Sequence, residues 1–213
     1  MRYDEYIRKE GRLMTAQLLT FLITYEGLED KIWRKVQVSS NWRLDQLGYL
    51  VLATFDTLAY HLFAFTCKGK QYELPDKEFD LENQANACDV SLNQLRMEPG
   101  DCLRMIYDFG LDQVFNLTLL SAEPIPRGKG AHYPWIVDGK GRGILDDMPA
   151  DELQELVAQI DKNGKTDEPV FYHECIKPWD YHDYDIKLDN MLLKHEIRRI
   201  ERGYAGGLDE EDE

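Results

Sequence analysis

Two runs of β-branched and aromatic residues, Thr20–Tyr25 and Ile32–Val38, are separated only by the polar break Gly27–Lys31, and the segment after them repeats Leu44, Leu47, Val51 and Phe55 at helical spacing. Such side chains fit a pleated surface, and a break this short joins antiparallel neighbours, so the two runs are predicted to form a hairpin. The apolar residues of the third segment fall on one helical stripe, with Ser39, Ser40 and Asn41 before it as candidate caps. The order strand, strand, helix constrains the fold to a sheet flanked by helices.

The rest of the chain extends that pattern. His61–Cys67 and Gln71–Leu74 are predicted strands around the turn Lys68-Gly69-Lys70, where glycine supplies a positive φ. Leu103–Asp108 and Val114–Ala122 form a second hairpin about Phe109-Gly110-Leu111-Asp112, Asp108 capping the turn and Gly110 taking the positive φ. Pro75–Asp89 is acidic and aperiodic, and is expected to be a solvated loop. Pro124–Gly143 is dense in proline and glycine and carries His132, Tyr133 and Trp135, which predicts a long irregular loop of the kind that is often functional. Pro149 opens a helix running to about Asp161 and closed by Asn163-Gly164, and a last helix spans Ile186–Tyr204 with Leu188, Met191, Leu192, His195 and Ile200 near one face and Ile197 off it. The expected class is α+β, with a mixed, largely antiparallel sheet.

Charge narrows the partners. The 213 residues contain 25 Lys and Arg against 40 Asp and Glu, a formal net charge of −15, part of it in the terminal run Asp209–Glu213. Phosphate binding relies on Lys and Arg, so duplex nucleic acid and anionic membrane surfaces are both disfavoured. Lys194, Arg198, Arg199 and Arg202 are the one basic stripe available to a duplex, diluted by Glu196 and Glu201. The longest apolar run, Leu47–Phe55, is far short of a membrane span, and the charged start Met1–Glu5 does not lead into a signal peptide, so a cytoplasmic protein is expected. Cys67, Cys88, Cys102 and Cys175 are far apart with no Cys-x-x-Cys pair, which predicts reduced, mostly buried thiols rather than disulfides or a cysteine zinc site.

Several groups are candidates for chemistry. Trp33 beside Arg34 offers a ligand-facing aromatic and cation, although strand alternation predicts Trp33 facing in and Arg34 facing out. Asp108 in Asp-Phe-Gly lacks the accompanying motifs of a kinase. Lys140 and Arg142 lie in Gly139-Lys140-Gly141-Arg142-Gly143, a loop able to meet an anion but without the Gly-Lys-Ser/Thr of a P-loop. His173, Asp180 and His182 are the ligand set for a first-row divalent metal, with Asp183 or Asp185 available as a helix cap instead. No cofactor is implied.

The segments Ile32-Trp33-Arg34-Lys35, Leu44–Leu47, Tyr60-His61-Leu62-Phe63-Ala64-Phe65, Tyr107-Asp108-Phe109-Gly110, Tyr133-Pro134 and Asp138-Gly139 follow one another in the order and spacing of a known family. In these residues the chain resembles the plasmid pRiA4b ORF-3-like proteins, which include bacterial chains labelled as passengers of transposable elements. The resemblance implies a domain over residues 18–204, preceded by an arm at 1–17 and followed by a flexible acidic tail at 205–213. It implies no established activity. The chain departs from the family pattern where Phe63 stands for a second histidine, where Leu111 stands for an aspartate, and in Gly141–Asp147, which lacks the family loop's cysteine and prolines.

Three functions are compatible with these features. A non-catalytic binding or interaction module for a protein or small molecule leads, with the Pro124–Gly143 loop and its aromatic residues as the contact surface and Trp33, Arg34, His61, Asp108, Tyr133, Trp135, Lys140 and Arg142 as its candidate binding residues. The alternatives are a metal-dependent, hydrolase- or nuclease-like enzyme and, from the family label alone, a recombination accessory, which the acidic charge disfavours.

Overall fold

The computed structural model describes residues 16–75, 84–172 and 176–206. Its centre is an eight-stranded open sheet in the order β5-β4-β3-β6-β7-β1-β2-β8. The strands are β1 Gln17–Tyr25, β2 Trp33–Ser39, β3 Phe63–Cys67, β4 Lys70–Glu73, β5 Ala85–Asn86, β6 Cys102–Tyr107, β7 Gln113–Pro124 and β8 Trp135–Lys140. Every pairing is antiparallel except β4 with β5. Among the described residues three α-helices accompany the sheet: α1 Leu44–Thr54, α2 Ala150–Asn163 and α3 Ile186–Gly206. This is the α+β fold that the strand, strand, helix opening predicts. No described helix is long and apolar enough to cross a membrane.

Register builds the core. Leu117 faces both Ile23 and Leu103, Ile23 faces Arg34 across the first hairpin, and Leu103 faces Cys67, so one row crosses five strands on a single face. The next row joins Tyr25, Phe115, Met105 and Phe65, and all four are buried. Helix α1 packs on this face: the Phe55 ring at its end meets Phe115 edge-on at 4.9 Å between centroids, and Tyr49 meets Phe63 at 5.9 Å. Gly48 is required there, because a Cβ would overlap the Phe63 ring. Helix α3 lies over α1, with Tyr204 stacked on Tyr49 at 5.4 Å.

Several expectations are corrected. Helix α1 starts from Arg43, whose backbone N–H donates to Gln46 Oε1 while its guanidinium pairs with Asp45, rather than from Ser39, Ser40 or Asn41. The described part of the predicted acidic loop contains β5 and a 3-10 turn at Ala87–Asp89. Within Pro124–Gly143, Trp135–Lys140 is regular after all: β2 presents an unpaired edge, and the β-prone Trp135-Ile136-Val137 closes on it, Ile136 opposite Val36. The new edge is itself covered, since the Asn190 amide of α3 exchanges two hydrogen bonds with the backbone of Ile136, at 2.9 and 2.8 Å. In the β6–β7 turn it is Asp108 and Asp112, with φ of 59° and 50°, that take the left-handed conformation rather than Gly110. The buried stripe of α3 is Leu193, Ile197 and Ile200, while Leu188, Met191 and Leu192 are exposed, so Ile197 is on the packed face. The expected N-terminal arm up to residue 15 and the tail from 207 lie outside the described residues.

Candidate functional site

Three loops meet at one end of the sheet. The first is the link from α1 to β3, residues 55–62; the second is the β6–β7 turn from Asp108; the third is the stretch from Gly141 to Pro149 that leads into α2. The third is pinned to the first, since Ile144 N–H donates to the Phe55 carbonyl at 2.9 Å and a Cβ at Gly143 would overlap that same carbonyl. It is also tied to the second, since Gln113 Nε2 donates to the Met148 carbonyl at 2.7 Å.

These ties bring His61, Asp108 and Asp147 together. His61 Nε2 is 3.2 Å from Asp147 Oδ1 and 3.6 Å from Asp108 Oδ2. Asp108 is buried, and its Oδ1 accepts the Gly110 N–H at 2.9 Å, the turn cap expected from the sequence. The Tyr60 hydroxyl donates to Asp147 Oδ2, and with His61 it holds the Asp147 carboxyl below the usual carboxylate range. The His61 carbonyl accepts from the Tyr204 hydroxyl, and the imidazole stands edge-on to Tyr107. Asp56, Ala59, Asp108 and Asp147 all have φ between 55° and 61°, a conformation that costs an L-residue on the order of 1 kcal/mol and is held here by the surrounding bonds.

Beside this group lies a cavity of about 300 Å³ between the end of α1 and α3. Ala53, Leu58, Ile136 and Leu193 form its apolar wall; Asp56, Arg142, Tyr172 and Asp189 are polar groups on it, and Thr54, Thr57, Glu196 and Arg199 complete its polar lining. Arg142 pairs with Asp56 at 3.5 Å, and the Tyr172 hydroxyl donates to the Asp56 carbonyl. Asp146 links cavity and cluster, one oxygen accepting from Leu58 N–H and lying 3.5 Å from the Tyr172 hydroxyl.

Behind the cavity wall lies Arg34, fully buried, which corrects the expected orientation of β2: Arg34 faces the core and Trp33 is half-exposed. Ile32, Val36 and Val38 are all buried and share the phase of residue 34, so alternation carries the arginine inward. Its Nε donates to the Thr54 carbonyl at 2.9 Å, and Nη1 donates to the carbonyls of Lys140 and Trp33 at 2.9 and 3.0 Å. The guanidinium stacks on Tyr184 at 3.8 Å and on Phe55 at 5.0 Å. Burial pulls its pKa down, against the charges of Tyr184, Asp189 and Asp56. Burial also lifts the Asp189 carboxyl to about 6, with Arg34 opposing the rise.

The other predicted residues are dispersed. Lys140 Nζ donates to the Asp30 carbonyl at 2.8 Å while Arg142 turns to Asp56, so the two cations of the glycine-rich stretch do not share one anion. Trp135 is partly exposed and stacks on His132 at 4.6 Å, and Tyr133 lines a separate hollow with Trp42 and Arg198. Asp180 and His182 pair with each other at 3.0 Å in a local turn, and His173 lies outside the described residues. Asp185 caps α3, accepting from the N–H groups of Lys187 and Leu188 at 2.9 and 3.2 Å. Cys67 is buried, Cys88 is half-buried with its thiol pushed up to about 11 chiefly by burial, and Cys102 is exposed; all three are free thiols. Asp56, Asp147, Tyr172 and Asp189 were not singled out as site residues from the sequence, where the only local signal was the Asp146-Asp147 pair closing a glycine-rich stretch.

Comparison with known proteins agrees with this architecture. The crystal structure of a protein of unknown function from Methanosarcina mazei Go1 matches with a TM-score of 0.64 at 18% identity, covering 82% of this chain and 97% of that one, which shows a shared fold. No curated protein matches the chain. The model of the plasmid pRiA4b ORF-3-like protein family matches residues 17–191, from the first residue of β1 to Met191 in α3, and the chain belongs to that family.

Proposed function

We propose that the chain is a non-catalytic binding module for a small ligand, held in the cavity between the end of α1 and α3. The observation that carries this reading is the cavity's composition. Small-molecule sites are concave and largely apolar with a few convergent polar groups, and here an aliphatic wall faces Asp56, Arg142, Tyr172 and Asp189. Both guanidinium groups of the lining are paired, Arg142 with Asp56 and Arg199 with Glu196, so the cavity has no surplus cation to attract a strong anion, and the net charge of −15 points the same way. The ligand class is a small, mainly apolar molecule with one or two hydrogen-bonding groups. Ile136 of the Pro124–Gly143 segment forms part of the wall, so this segment contributes by supplying a strand and not as a free aromatic loop.

Native mass spectrometry of the chain purified from cells, without added ligand, tests the reading. A copurifying small molecule is expected on the wild type and absent from Ala53→Phe, which fills the cavity. A ligand-free wild type, or equal occupancy in both proteins, counts against it.

A further inference from the structure

We propose that His61, Asp108 and Asp147 form a binding site for one divalent cation of the zinc or manganese class. The site is separate from the small-ligand cavity and does not rest on that reading.

Geometry carries the assignment. One ligand atom from each residue lies within 4.8 Å of the other two. Ligands held at roughly 2.1 Å around a tetrahedral cation stand about 3.4 Å apart. The two edges at His61 Nε2, 3.2 Å to Asp147 and 3.6 Å to Asp108, bracket that length. Hydrogen bonding alone does not account for the arrangement. The Nε2 atom has a single proton or a single lone pair to offer, and the Asp108 contact is beyond hydrogen-bond range.

A second observation points the same way. Asp108 is 7% exposed, its Oδ1 accepts from Gly110 N–H, and its Oδ2 faces His61 Nε2 at 3.6 Å. A carboxylate charge taken largely out of water is costly unless an opposite charge stands beside it, and a cation held between Asp108 and His61 supplies that charge.

The surroundings suit a metal. Tyr60 occupies Asp147 Oδ2 and leaves Oδ1 directed at His61, while the tyrosines around the imidazole fix its plane, the support that metal-ligating groups need. The Asp147 side chain is 65% exposed, so the site opens to solvent and three protein ligands leave a coordination position free. One imidazole with two carboxylates suits borderline first-row ions rather than soft ones. The alternative set around His182 is engaged differently, since Asp180 accepts from both the backbone N–H and the ring of His182 within one turn.

Calorimetric titration of the metal-stripped full-length chain with Zn²⁺, and separately with Mn²⁺, decides the matter. At least one ion should bind saturably at one per chain. Asp147→Asn and His61→Gln should each weaken it by at least about tenfold, with His182→Gln unchanged. Asp147 is exposed, so its variant reports on binding even if Asp108→Asn disturbs the turn, and circular dichroism checks that each variant is folded. Absence of saturable binding of either ion, binding indifferent to Asp147→Asn and His61→Gln, or binding abolished by His182→Gln overturns the proposal.

Discussion

The guanidinium of Arg34, in the second strand, lies 3.8 Å from the centre of the Tyr184 ring, just ahead of the last helix. The contact closes the C-terminal segment over the sheet at the one charged position of an otherwise aliphatic inner row. Removing the side chain strips the Thr54, Trp33 and Lys140 carbonyls of a donor and empties the space between Phe55 and Tyr184. Arg34→Ala should therefore cost about 3–5 kcal/mol in urea unfolding, whereas Trp33→Ala should cost about 1 kcal/mol. The reverse order would mean that β2 presents its other face to the core.

Asp189 gives the protein a pH dependence with a defined sign. Its carboxyl is lifted from 3.8 to about 6, chiefly by burial and against the opposing charge of Arg34, with Asp56, Tyr184 and Asp185 also facing it. The native state holds this proton more tightly than the unfolded chain does, so the contribution to stability is complete below about pH 4 and is lost as pH rises through 6. Discounted for partial exposure, the ionised carboxylate costs about 1–2 kcal/mol. Asp189→Asn should stabilise the chain by that amount at pH 7.5, and thermal melts between pH 4 and 6 should show a flatter profile than the wild type.

Two glycines in helices should respond oppositely to alanine. Alanine is the better helix former by about 1 kcal/mol, and nothing lies within 4 Å of a Cβ built at Gly203, so Gly203→Ala should stabilise. At Gly48 the same Cβ meets the Phe63 ring, and overpacking should make Gly48→Ala destabilising by about 1–3 kcal/mol. Chemical denaturation of the two variants side by side reads this directly.

The register of α3 can be checked in the same way. Ile197 is 7% exposed and Met191 is 73% exposed. Ile197→Ala should lower stability by about 2–4 kcal/mol and Met191→Ala by no more than about 0.5 kcal/mol.

For nucleic acid, the expected result is negative. Arg199 is already paired with Glu196 at 2.8 Å, which weakens the only basic stripe on α3. Fluorescence anisotropy with a labelled duplex should give no binding tighter than micromolar at about 0.15 M salt. Submicromolar binding that disappears on changing Arg198 and Arg199 to alanine would revive a recombination role.

Much of the secondary structure is local and was legible in the chain. The hairpins β1–β2 and β6–β7, the Leu44–Leu47–Val51–Phe55 stripe of α1, the Gly164 end of α2 and the Asp185 cap of α3 each depend on residues a few positions apart, and hydrophobic period and turn chemistry act over that range. The phase of β2 is the opposite of the expected one: Arg34 follows Ile32, Val36 and Val38 inward, and what makes a buried guanidinium tolerable there is a set of carbonyls and rings from three later segments. Other features were set by tertiary contact alone. Trp135–Lys140 becomes a strand because β2 has an open edge beside it, which overrides the proline and glycine around it. Ile197 is buried because α3 packs against α1 and β8, and which of its faces they cover is not specified by single-helix periodicity. The candidate cation site is the extreme case: His61 and Asp147 are 86 positions apart and meet only because α1, β6 and the stretch before α2 all end at the same end of the sheet, a consequence of topology that no short-range pattern encodes.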